Sequence, residues 1–477
     1  MRFPSPGRFR SASDLRTHLQ GLGVAFDLDD EVDAKGALAN PIDLFGRKLD
    51  NRFCAHPMEG WDGTAQGGPS PHTLRRWRNF GRSGAALIWG GEAFAVRPDG
   101  RANPNQLYLG PDSERHLTEL LAEFHQGRQE QGLETSNVVV GLQLTHSGRF
   151  ARPEGELAPK IAQAHPLLAE RYGLPADTPL LSDAELEAIG ECYVESARLA
   201  QRAGFDFVDV KCCHGYLLHE LLAAHTREGN YGGDLAGRMR LPERIIAAIR
   251  TACPGLEIGV RLSAGDTAPF VADPKTRIGT PMQGDGVALA RHHFGISADD
   301  PTAIDLAEPI EVVQRLGASG VTLLNITLGS PYWNPHLQRP AAYPPSDGYL
   351  PPVDPLQMVA AHLHAVRSLK AAAPTSVFAG TGYTYLQEWL PNVAQWAVGR
   401  GEVDFAGLGR LLLSYPELPA DLLAGRPLQR KRLCRTFSDC TTGPRNGMLS
   451  GCFPLDPYYQ EMPEAQRVKA IAKDLRR

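Results

Sequence analysis

The sequence of 477 residues lacks the features that mark several classes of protein. No apolar stretch approaches the roughly 18 residues that a membrane-spanning helix needs, so we expect no membrane span. The N-terminal stretch MRFPSPGRFRSASDLRTHLQ is polar and has no signal-peptide core, which favours a cytoplasmic location. The net charge of -5 and the lack of a basic run argue against nucleic acid as a partner.

Cysteine is also scarce. Eight cysteines in 477 residues are too few for a disulfide scaffold, and they favour a reducing compartment. A chain of this length can bury a large core, so its folding requires no disulfide and no structural metal. We therefore assign no metal ligands. Apolar residues make up 42% of the chain and charged residues 22%, which is ordinary for a globular protein.

Apolar runs and helical periodicity alternate along the chain. The pattern predicts strands at residues 52–58, 85–91, 137–144, 206–212, 257–263, 320–327, 376–381 and 403–407. It predicts helices at 73–82, 114–131, 183–203, 241–252, 303–316, 355–373 and 386–400. Eight strands alternating with helices favour an α/β fold of the closed (β/α)8 TIM-barrel type. A doubly wound open sheet is the alternative.

Three long loops and a tail interrupt this alternation. Residues 145–179, 264–301 and 329–354 form loops that follow the C-terminal ends of predicted strands. Loops of this length are usually binding elements or lids, and barrel enzymes place their sites at that face. The alternating pattern ends after Pro427. We therefore predict a barrel over residues 1–427 and a short C-terminal extension over 428–477.

Ionisable side chains collect where the predicted strands end. The stretch DFVDVKCCHGYLLHE begins as a buried strand and then presents Lys211, His214 and Tyr216. Its two cysteines are interpreted as packing residues rather than nucleophiles. Gln143 ends the third predicted strand, and Arg261 lies inside an apolar run of the fifth. A buried arginine needs an anionic partner or several acceptors, so these strand ends are predicted to form an active site.

Glycine-rich loops follow the seventh and eighth predicted strands. They contain Gly380, Gly382 and Gly409, and Arg410 comes next. Glycine lets the backbone approach a phosphate closely, and an arginine fork can bind its oxygens. In barrels, the loops at these two strands often form a phosphate site. With Gln143 and Arg261, they indicate a phosphorylated planar ligand across the mouth of the barrel.

Several segments resemble the old yellow enzyme family of FMN-dependent ene reductases, in the branch of 2,4-dienoyl-CoA reductase and trimethylamine dehydrogenase. They are NRFCAHPMEG, LQLTHSGR, GFDFVDVKCCHGYLLHELL with the later YGGDLAGRMR, GVRLS and VDFAGLGRLLLSYPELPADLLAG. They span residues 51–425, which is most of the chain. The fourth-strand motif is the most specific of them.

The resemblance implies FMN at the top of the barrel and NAD(P)H as its reductant. It implies that Gln143 and Arg261 contact the flavin ring and that the first-strand residues Pro57, Met58 and Glu59 lie beside it. The amides around Gly382, Gly409 and Arg410 would hold the phosphate. Tyr216 matches the tyrosine that protonates the substrate carbon. His214 matches one of two donors that bind the substrate oxygen.

Two positions depart from the family pattern. Lys211 stands where a histidine donor is usual, so an anionic group on the small-molecule substrate is predicted. The alternative is an ion pair with Asp209 or Glu92. Glu59 stands where threonine or cysteine is usual, and a carboxylate there would oppose negative charge on a reduced flavin.

Two residues of the third loop also have two interpretations. His146 and Arg149 either reach the substrate or hold that loop closed.

The tail contains the cysteines Cys434, Cys440 and Cys452, which resemble three of the four ligands of a [4Fe-4S] cluster in this branch. Phe437 occupies the remaining ligand position. Three thiolates do not complete a four-cysteine site, so we expect no cluster, with a three-cysteine cluster or a zinc site as alternatives. We also expect no downstream FAD/NAD domain of the kind found in those relatives. Electrons are expected to come directly from NAD(P)H or from a separate partner.

Three other functions stay open at this point. A flavin-dependent dehydrogenase of amines, alcohols or polyols is the main alternative. A lyase that forms a Schiff base on Lys211 is a remote one, and a barrel that binds flavin without catalysis is another. The sequence does not name the substrate, choose between NADH and NADPH, or show whether the chain forms a homo-oligomer.

Overall fold

The computed structural model describes residues 2–110, 112–175, 177–284 and 289–476. Its centre is a barrel of eight parallel strands: β1 Phe53–Ala55, β2 Leu87–Ile88, β3 Val139–Thr145, β4 Phe207–Val210, β5 Glu257–Ser263, β6 Leu323–Thr327, β7 Val377–Gly380 and β8 Phe405–Leu408. Neighbours in this order pair in parallel, and β8 pairs with β1, with Leu408 opposite Ala55. The ring is therefore closed, and the predicted TIM barrel is confirmed.

Helices connect the strands on the outside of the barrel. The long ones are Pro71–Arg82, Ser113–Glu130, Asp183–Ala203, Leu235–Ala252, Ala307–Ala318, Pro355–Ala372 and Leu390–Gly399. Shorter ones are Pro166–Tyr172, Leu217–Leu222, Pro335–Gln338, Leu411–Ser414 and Leu418–Leu423. All seven predicted helices are present, but the predicted start at residue 241 was wrong. That helix begins six residues earlier, after an Asp234 cap that accepts the Gly237 N–H at 2.8 Å, and it contains Pro242.

Additional elements lie outside the regular alternation. The hairpin Ile42–Leu44 and Arg47–Leu49 contributes Leu44 and Leu49 to the apolar cluster inside the barrel. The strand Ala93–Ala95 extends the sheet beside β3. A second hairpin, Phe270–Ala272 with Gly279–Pro281, lies in the predicted loop after β5. The helix Ala12–Gly21 precedes the barrel. The pattern predicted none of these four elements.

The inward face of β4 shows how the sequence builds the site. Alternate residues of a strand share one face, so Phe207, Asp209 and Lys211 follow one another up the barrel axis. Phe207 belongs to the buried apolar cluster, and glycines on the neighbouring strands make room for its ring. A Cβ atom on Gly141 would lie 2.2 Å from that ring. The barrel interior therefore changes from apolar to charged towards its C-terminal end.

The C-terminal extension packs over the same end of the barrel. Its helices are Asp439–Arg445, Pro457–Gln460 and Pro463–Leu475. Arg75 forms two hydrogen bonds with Asp456, at 2.8 and 3.0 Å, and Arg339 donates to Thr441 at 2.6 Å. The boundary at residue 427 stays a prediction. Within the described ranges, no helix combines the length and the apolar character that crossing a membrane requires.

Candidate active site

A cavity of about 260 Å³ opens at the C-terminal end of the barrel. It collects side chains from six strand ends, from the loop after β6 and from the C-terminal extension. The predicted site residues that line it are Pro57, Met58, Glu59, Gln143, Lys211, His214, Tyr216, Arg261, Gly382, Gly409 and Arg410. The structure therefore brings together eleven of the twelve predicted positions.

Gly380 is the predicted position that does not line the cavity. It ends β7, and its carbonyl oxygen lies 3.2 Å from His56 Nε2. A Cβ atom on Gly380 would lie 3.2 Å from Val403, on the packed side of the strand. The assignment of Gly380 to the phosphate loop stays a prediction.

Two arginines lie at one end of the cavity. Arg410 Nη2 donates to the carbonyl oxygen of Pro340 at 3.0 Å, while its buried Nη1 has no partner among the described residues. Arg339 Nη2 is likewise buried without a partner. Burial first, and then the neighbouring Arg410 cation, lower the pKa of Arg339 to about 10. Two guanidinium groups beside the loops of Gly382 and Gly409 fit a phosphate that would supply the missing acceptors.

The middle of the cavity is organised by Asp209. Its carboxylate accepts hydrogen bonds from the Gln143 amide at 2.6 Å, the Trp89 indole at 2.8 Å and the Arg261 backbone N–H at 2.7 Å. Burial raises the pKa of Asp209, and these donors counteract that effect. The amide of Gln143 is thereby fixed in orientation. Its carbonyl oxygen is left to contact a ligand in the cavity.

Arg261 adds a cation to this middle part. Its side chain is buried, and Nη1 is 3.4 Å from the carbonyl oxygen of Pro57. Its Nε has no partner in the part of the chain that the structure describes, and no described carboxylate forms an ion pair with it. A buried guanidinium without an anion fits a ligand on which negative charge develops. The donor set therefore fits FMN, whose phosphate Arg410 would hold and whose ring Arg261 would contact.

Lys211 and Tyr216 lie together on the opposite wall. Lys211 Nζ is 3.9 Å from the centroid of the Tyr216 ring, which is a cation–π contact. Lys211 is only 4% exposed, and burial lowers the pKa of its amine. Asp209 is already engaged as described, and Glu92 pairs with Arg76. The predicted alternative of an ion pair between Lys211 and either carboxylate was therefore wrong.

His214 lies beside Lys211 in a strained backbone conformation, with φ at 66°. Its N–H donates to Ser263 Oγ at 2.9 Å, and its carbonyl oxygen accepts from Ser330 Oγ at 2.8 Å. Burial, followed by the charges of Arg261 and Lys211, holds the pKa of His214 well below its usual value. The imidazole is therefore neutral, and it can polarise a substrate oxygen as a hydrogen-bond donor.

Tyr216 is the centre of a short hydrogen-bond chain. Its hydroxyl donates to Glu59 Oε2 at 2.7 Å and lies 2.9 Å from the hydroxyl of Tyr332. Burial, and then the Glu59 carboxylate, raise the pKa of Tyr216 well above its usual value. Tyr216 therefore keeps its proton at neutral pH, as a general acid must.

The remaining predicted residues have structural roles. Cys212 and Cys213 are buried, and burial raises the pKa of Cys213 to about 11, as expected for packing residues. Arg149 donates to Glu220 at 2.7 Å and to the Gln163 carbonyl at 2.6 Å. His146 does not line the cavity, and its Nδ1 accepts the Gly148 N–H at 3.1 Å. These contacts support the interpretation that the third loop is held closed.

Several cavity residues were missed by the sequence analysis. Tyr332, Gln338 and Arg339 come from the loop after β6, and Arg445 comes from the C-terminal extension. Gln338 Nε2 lies 3.2 Å from His214 Nε2, and the Arg445 guanidinium lies 5.3 Å from the Tyr332 ring. The length of the loop was a signal for binding, but no spacing identified these four side chains.

The tail cysteines lie at the edge of the site. Cys440 lines the cavity, and Cys434 and Cys440 are both near enough to Cys452 to help raise the pKa of its thiol. Burial raises the pKa of Cys434 and of Cys452. Among the described residues, no group of three His, Cys, Asp or Glu side chains is arranged to hold a metal ion. The expectation that no [4Fe-4S] cluster binds here stays a prediction.

Solved structures with a similar fold include 2-naphthoyl-CoA reductase, with a TM-score of 0.62 and 17% identity over 91% of this chain and 58% of that one. Histamine dehydrogenase from Rhizobium sp. 4-9 has a TM-score of 0.62 and 18% identity over 90% of this chain and 53% of that one. Morphinone reductase has a TM-score of 0.52 and 20% identity over 83% of this chain and 91% of that one. At these identities the likeness concerns the fold alone.

Sequence comparison is more specific. A family model described as "NADH:flavin oxidoreductase / NADH oxidase family" matches residues 37–273. The NADPH dehydrogenase of Geobacillus thermodenitrificans is 29% identical over 242 residues, which are 49% of this chain and 64% of that protein. The NADPH dehydrogenase of Bacillus subtilis is 30% identical over 249 residues, which are 51% of this chain and 68% of that protein. The chain belongs to the NADH:flavin oxidoreductase / NADH oxidase family, which the sequence analysis identified as the old yellow enzyme family.

Proposed function

We propose that the protein is an FMN-dependent oxidoreductase that passes hydride from NAD(P)H, through the flavin, to an activated alkene. One observation carries the proposal. A single cavity holds buried guanidinium groups with unpartnered N–H atoms at one side, and a neutral histidine, a buried lysine and a protonated tyrosine at the other. The curated relatives named NADPH dehydrogenase support the choice of nicotinamide as reductant.

Different side chains of this protein would bind the phosphate and the ring of the cofactor. Arg339 and Arg410, with the backbone near Gly382 and Gly409, would hold the phosphate. Arg261 would stabilise negative charge on the reduced ring, and the Asp209 contact described above would orient the Gln143 amide towards the ring edge. Bound FMN would supply hydride chemistry between the nicotinamide and the substrate.

His214 and Lys211 would bind the electron-withdrawing oxygen of the substrate. A cation there stabilises negative charge that develops on that oxygen, and it also favours substrates that carry a carboxylate or become an enolate. Tyr216 would deliver its hydroxyl proton to the neighbouring carbon. The alkene would thereby gain one hydride and one proton and become the saturated product. Lys211 is desolvated and pairs with no carboxylate in the described part of the chain, which supports an anionic substrate group.

Anaerobic turnover tests this function directly. The FMN-loaded protein should be reduced by NADPH and then reoxidised by an enone or a 2-enoate, with saturated product in proportion to the NADPH consumed. Flavin that is reduced by an amine or a polyol, with no reoxidation by any alkene, would show the dehydrogenase function instead. Borohydride trapping of a carbonyl substrate on Lys211 would show the lyase function, which family membership disfavours.

Partners and location are part of the proposal. We propose that NADPH delivers electrons directly to the flavin, with a separate electron-transfer protein as the alternative. The described cysteines are all free thiols, which supports a reducing compartment such as the cytoplasm.

A further inference from the structure

The hydroxyl of Tyr216 has one proton and two oxygen neighbours. It lies 2.7 Å from Glu59 Oε2, to which it donates, and 2.9 Å from the Tyr332 hydroxyl. Because its only proton points to Glu59, the Tyr332 hydroxyl is the donor in the second contact. The chain of donors therefore runs from Tyr332 to Tyr216 to Glu59. In this arrangement the Tyr216 proton is engaged with a carboxylate and is not directed at a substrate.

From this geometry we infer that Glu59 is the acid–base partner of Tyr216: it releases the phenol proton for catalysis and replaces it after each turnover. The inference rests on the proposed alkene reduction and deepens it. When Glu59 is ionised, it accepts the Tyr216 proton in a hydrogen bond and withholds it from the substrate. When Glu59 is protonated, its hydroxyl donates to the Tyr216 oxygen, so the phenol proton is free to point into the cavity.

Each proton that Tyr216 gives to the substrate is replaced within the cycle. Bound FMN would supply the hydride that forms the first C–H bond of the product, and Tyr216 would supply the proton that forms the second. The O–H bond of Tyr216 breaks in that step. A new O–H bond on Tyr216 forms as the Glu59 carboxyl group loses its proton. Glu59 then takes a proton from solvent, and the site returns to its starting state.

The surroundings of the chain support such a transfer. Lys211 Nζ, 3.9 Å from the Tyr216 ring centroid, stabilises a transient phenolate from β4. From the loop after β6, the Tyr332 hydroxyl donates to the same oxygen, and its ring stacks on Phe150 with centroids 3.8 Å apart. From the C-terminal extension, Arg445 lies 5.3 Å from the Tyr332 ring, and its charge is paired with Asp347 at 3.0 Å.

Sequence position makes Glu59 suitable for this role. It follows Pro57 and Met58 at the end of β1, where it lines the cavity and is only partly buried, so solvent can exchange its proton. Asp62 and Glu92 are also near this strand end, but both are buried and both pair with Arg76. They are therefore poorly placed to exchange protons with a substrate.

The test uses the FMN-loaded protein and Glu59→Gln, which keeps an amide donor near Tyr216 but cannot donate or accept a transferable proton. Tyr172→Phe is the matched control. It removes a 2.8 Å phenol hydrogen bond to the Tyr332 carbonyl and leaves the Tyr332–Tyr216–Glu59 chain in place. The first readout is the infrared carbonyl stretch of a protonated carboxyl group, taken as the difference between the native protein and Glu59→Gln. The difference is needed because burial raises the pKa of Glu92 to about 7, so Glu92 contributes a carboxyl band to both spectra. The difference should contain a carboxyl band, and that band should shift in Tyr216→Phe.

The second readout is single-turnover reoxidation of the reduced flavin by an alkene. Its rate should fall as pH rises in the native protein and in Tyr172→Phe, and should not depend on pH over that range in Glu59→Gln. An unchanged pH slope in Glu59→Gln, or a difference spectrum without a carboxyl band, would overturn the inference. Failure of every alkene to reoxidise the native protein, with the infrared pattern intact, would refute the proposed function while leaving the proton exchange established.

Discussion

Replacement of Lys211 by methionine tests the part of the site that departs most from the family pattern. The residue Lys211 is 4% exposed, and its Nζ lies over the Tyr216 ring. No carboxylate among the described residues forms an ion pair with it. A hydrogen bond to a charged group contributes roughly 1.5–3 kcal/mol. Since each 1.4 kcal/mol is a factor of about ten, a carboxylate ligand should bind roughly 10- to 150-fold more weakly to Lys211→Met. The nearby Glu59 carboxylate, no longer opposed by the lysine, should increase this loss.

The assay is a titration of the FMN-loaded protein with a 2-enoate and with the matching primary amide. Changes in the flavin absorption spectrum report the binding of each ligand. The amide, which is neutral, should lose less than about three-fold in affinity, since it lacks the charge that strengthens the bond. Lys48→Met, on the exposed strand Arg47–Leu49 at the far end of the barrel, is the control and should change neither ligand. Equal losses for the enoate and the amide in Lys211→Met would refute the reasoning.

Three further predictions follow from the site and its surroundings. Arg339→Ala should weaken FMN roughly 10- to 150-fold, from the loss of a charged hydrogen bond, and leave riboflavin unchanged in fluorescence titrations. Tyr216→Phe should slow flavin reoxidation by an alkene about 10²- to 10⁴-fold in stopped-flow traces, with NADPH reduction of the flavin unaffected. Burial lowers the pKa of each of His146, His219 and His362 to about 4, so chemical denaturation should show lower stability at pH 5 than at pH 7.

The sign of the histidine effect follows from linkage. In the unfolded chain each of these histidines has a pKa of about 6.5, whereas the folded chain binds the proton only near pH 4. The stability that each neutral histidine contributes is therefore fully present above about pH 6.5 and is lost as the pH falls towards 4. At pH 5 each histidine should lower the free energy of unfolding by about 2 kcal/mol. His362→Asn should reduce the loss between pH 7 and pH 5 by about that amount, and an unchanged loss would contradict the argument.

Much of the fold was predictable because parallel barrel strands are buried on both faces. The runs around Val139, Phe207 and Leu323 are largely apolar, and helices of regular period separate them, so their order alone implied the barrel. The hairpin of Leu44 and Leu49 was not predictable in the same way. Its strands have three residues each, and its apolar side chains matter only through their place inside the barrel.

The site residues also differ in how far the sequence could predict them. Gln143, Lys211 and Arg261 were predictable because each lies at or near the end of a buried strand, where a polar side chain has no packing role. Arg339 and Arg445 reach the cavity from irregular segments, and only the folded path of those segments brings them there. Only the structure could decide between the alternatives for Lys211, because the sequence did not show that other donors already satisfy Asp209.

The central claim is that this cavity binds FMN by its phosphate and its ring together. The most direct measurement is a titration of flavin-free protein with FMN, followed by visible absorbance and flavin fluorescence, with riboflavin as the ligand that lacks the phosphate. The account predicts saturable uptake of one FMN per chain, quenched fluorescence and much weaker binding of riboflavin. Refolded, flavin-free protein that takes up neither ligand, or that binds both equally well, would contradict it.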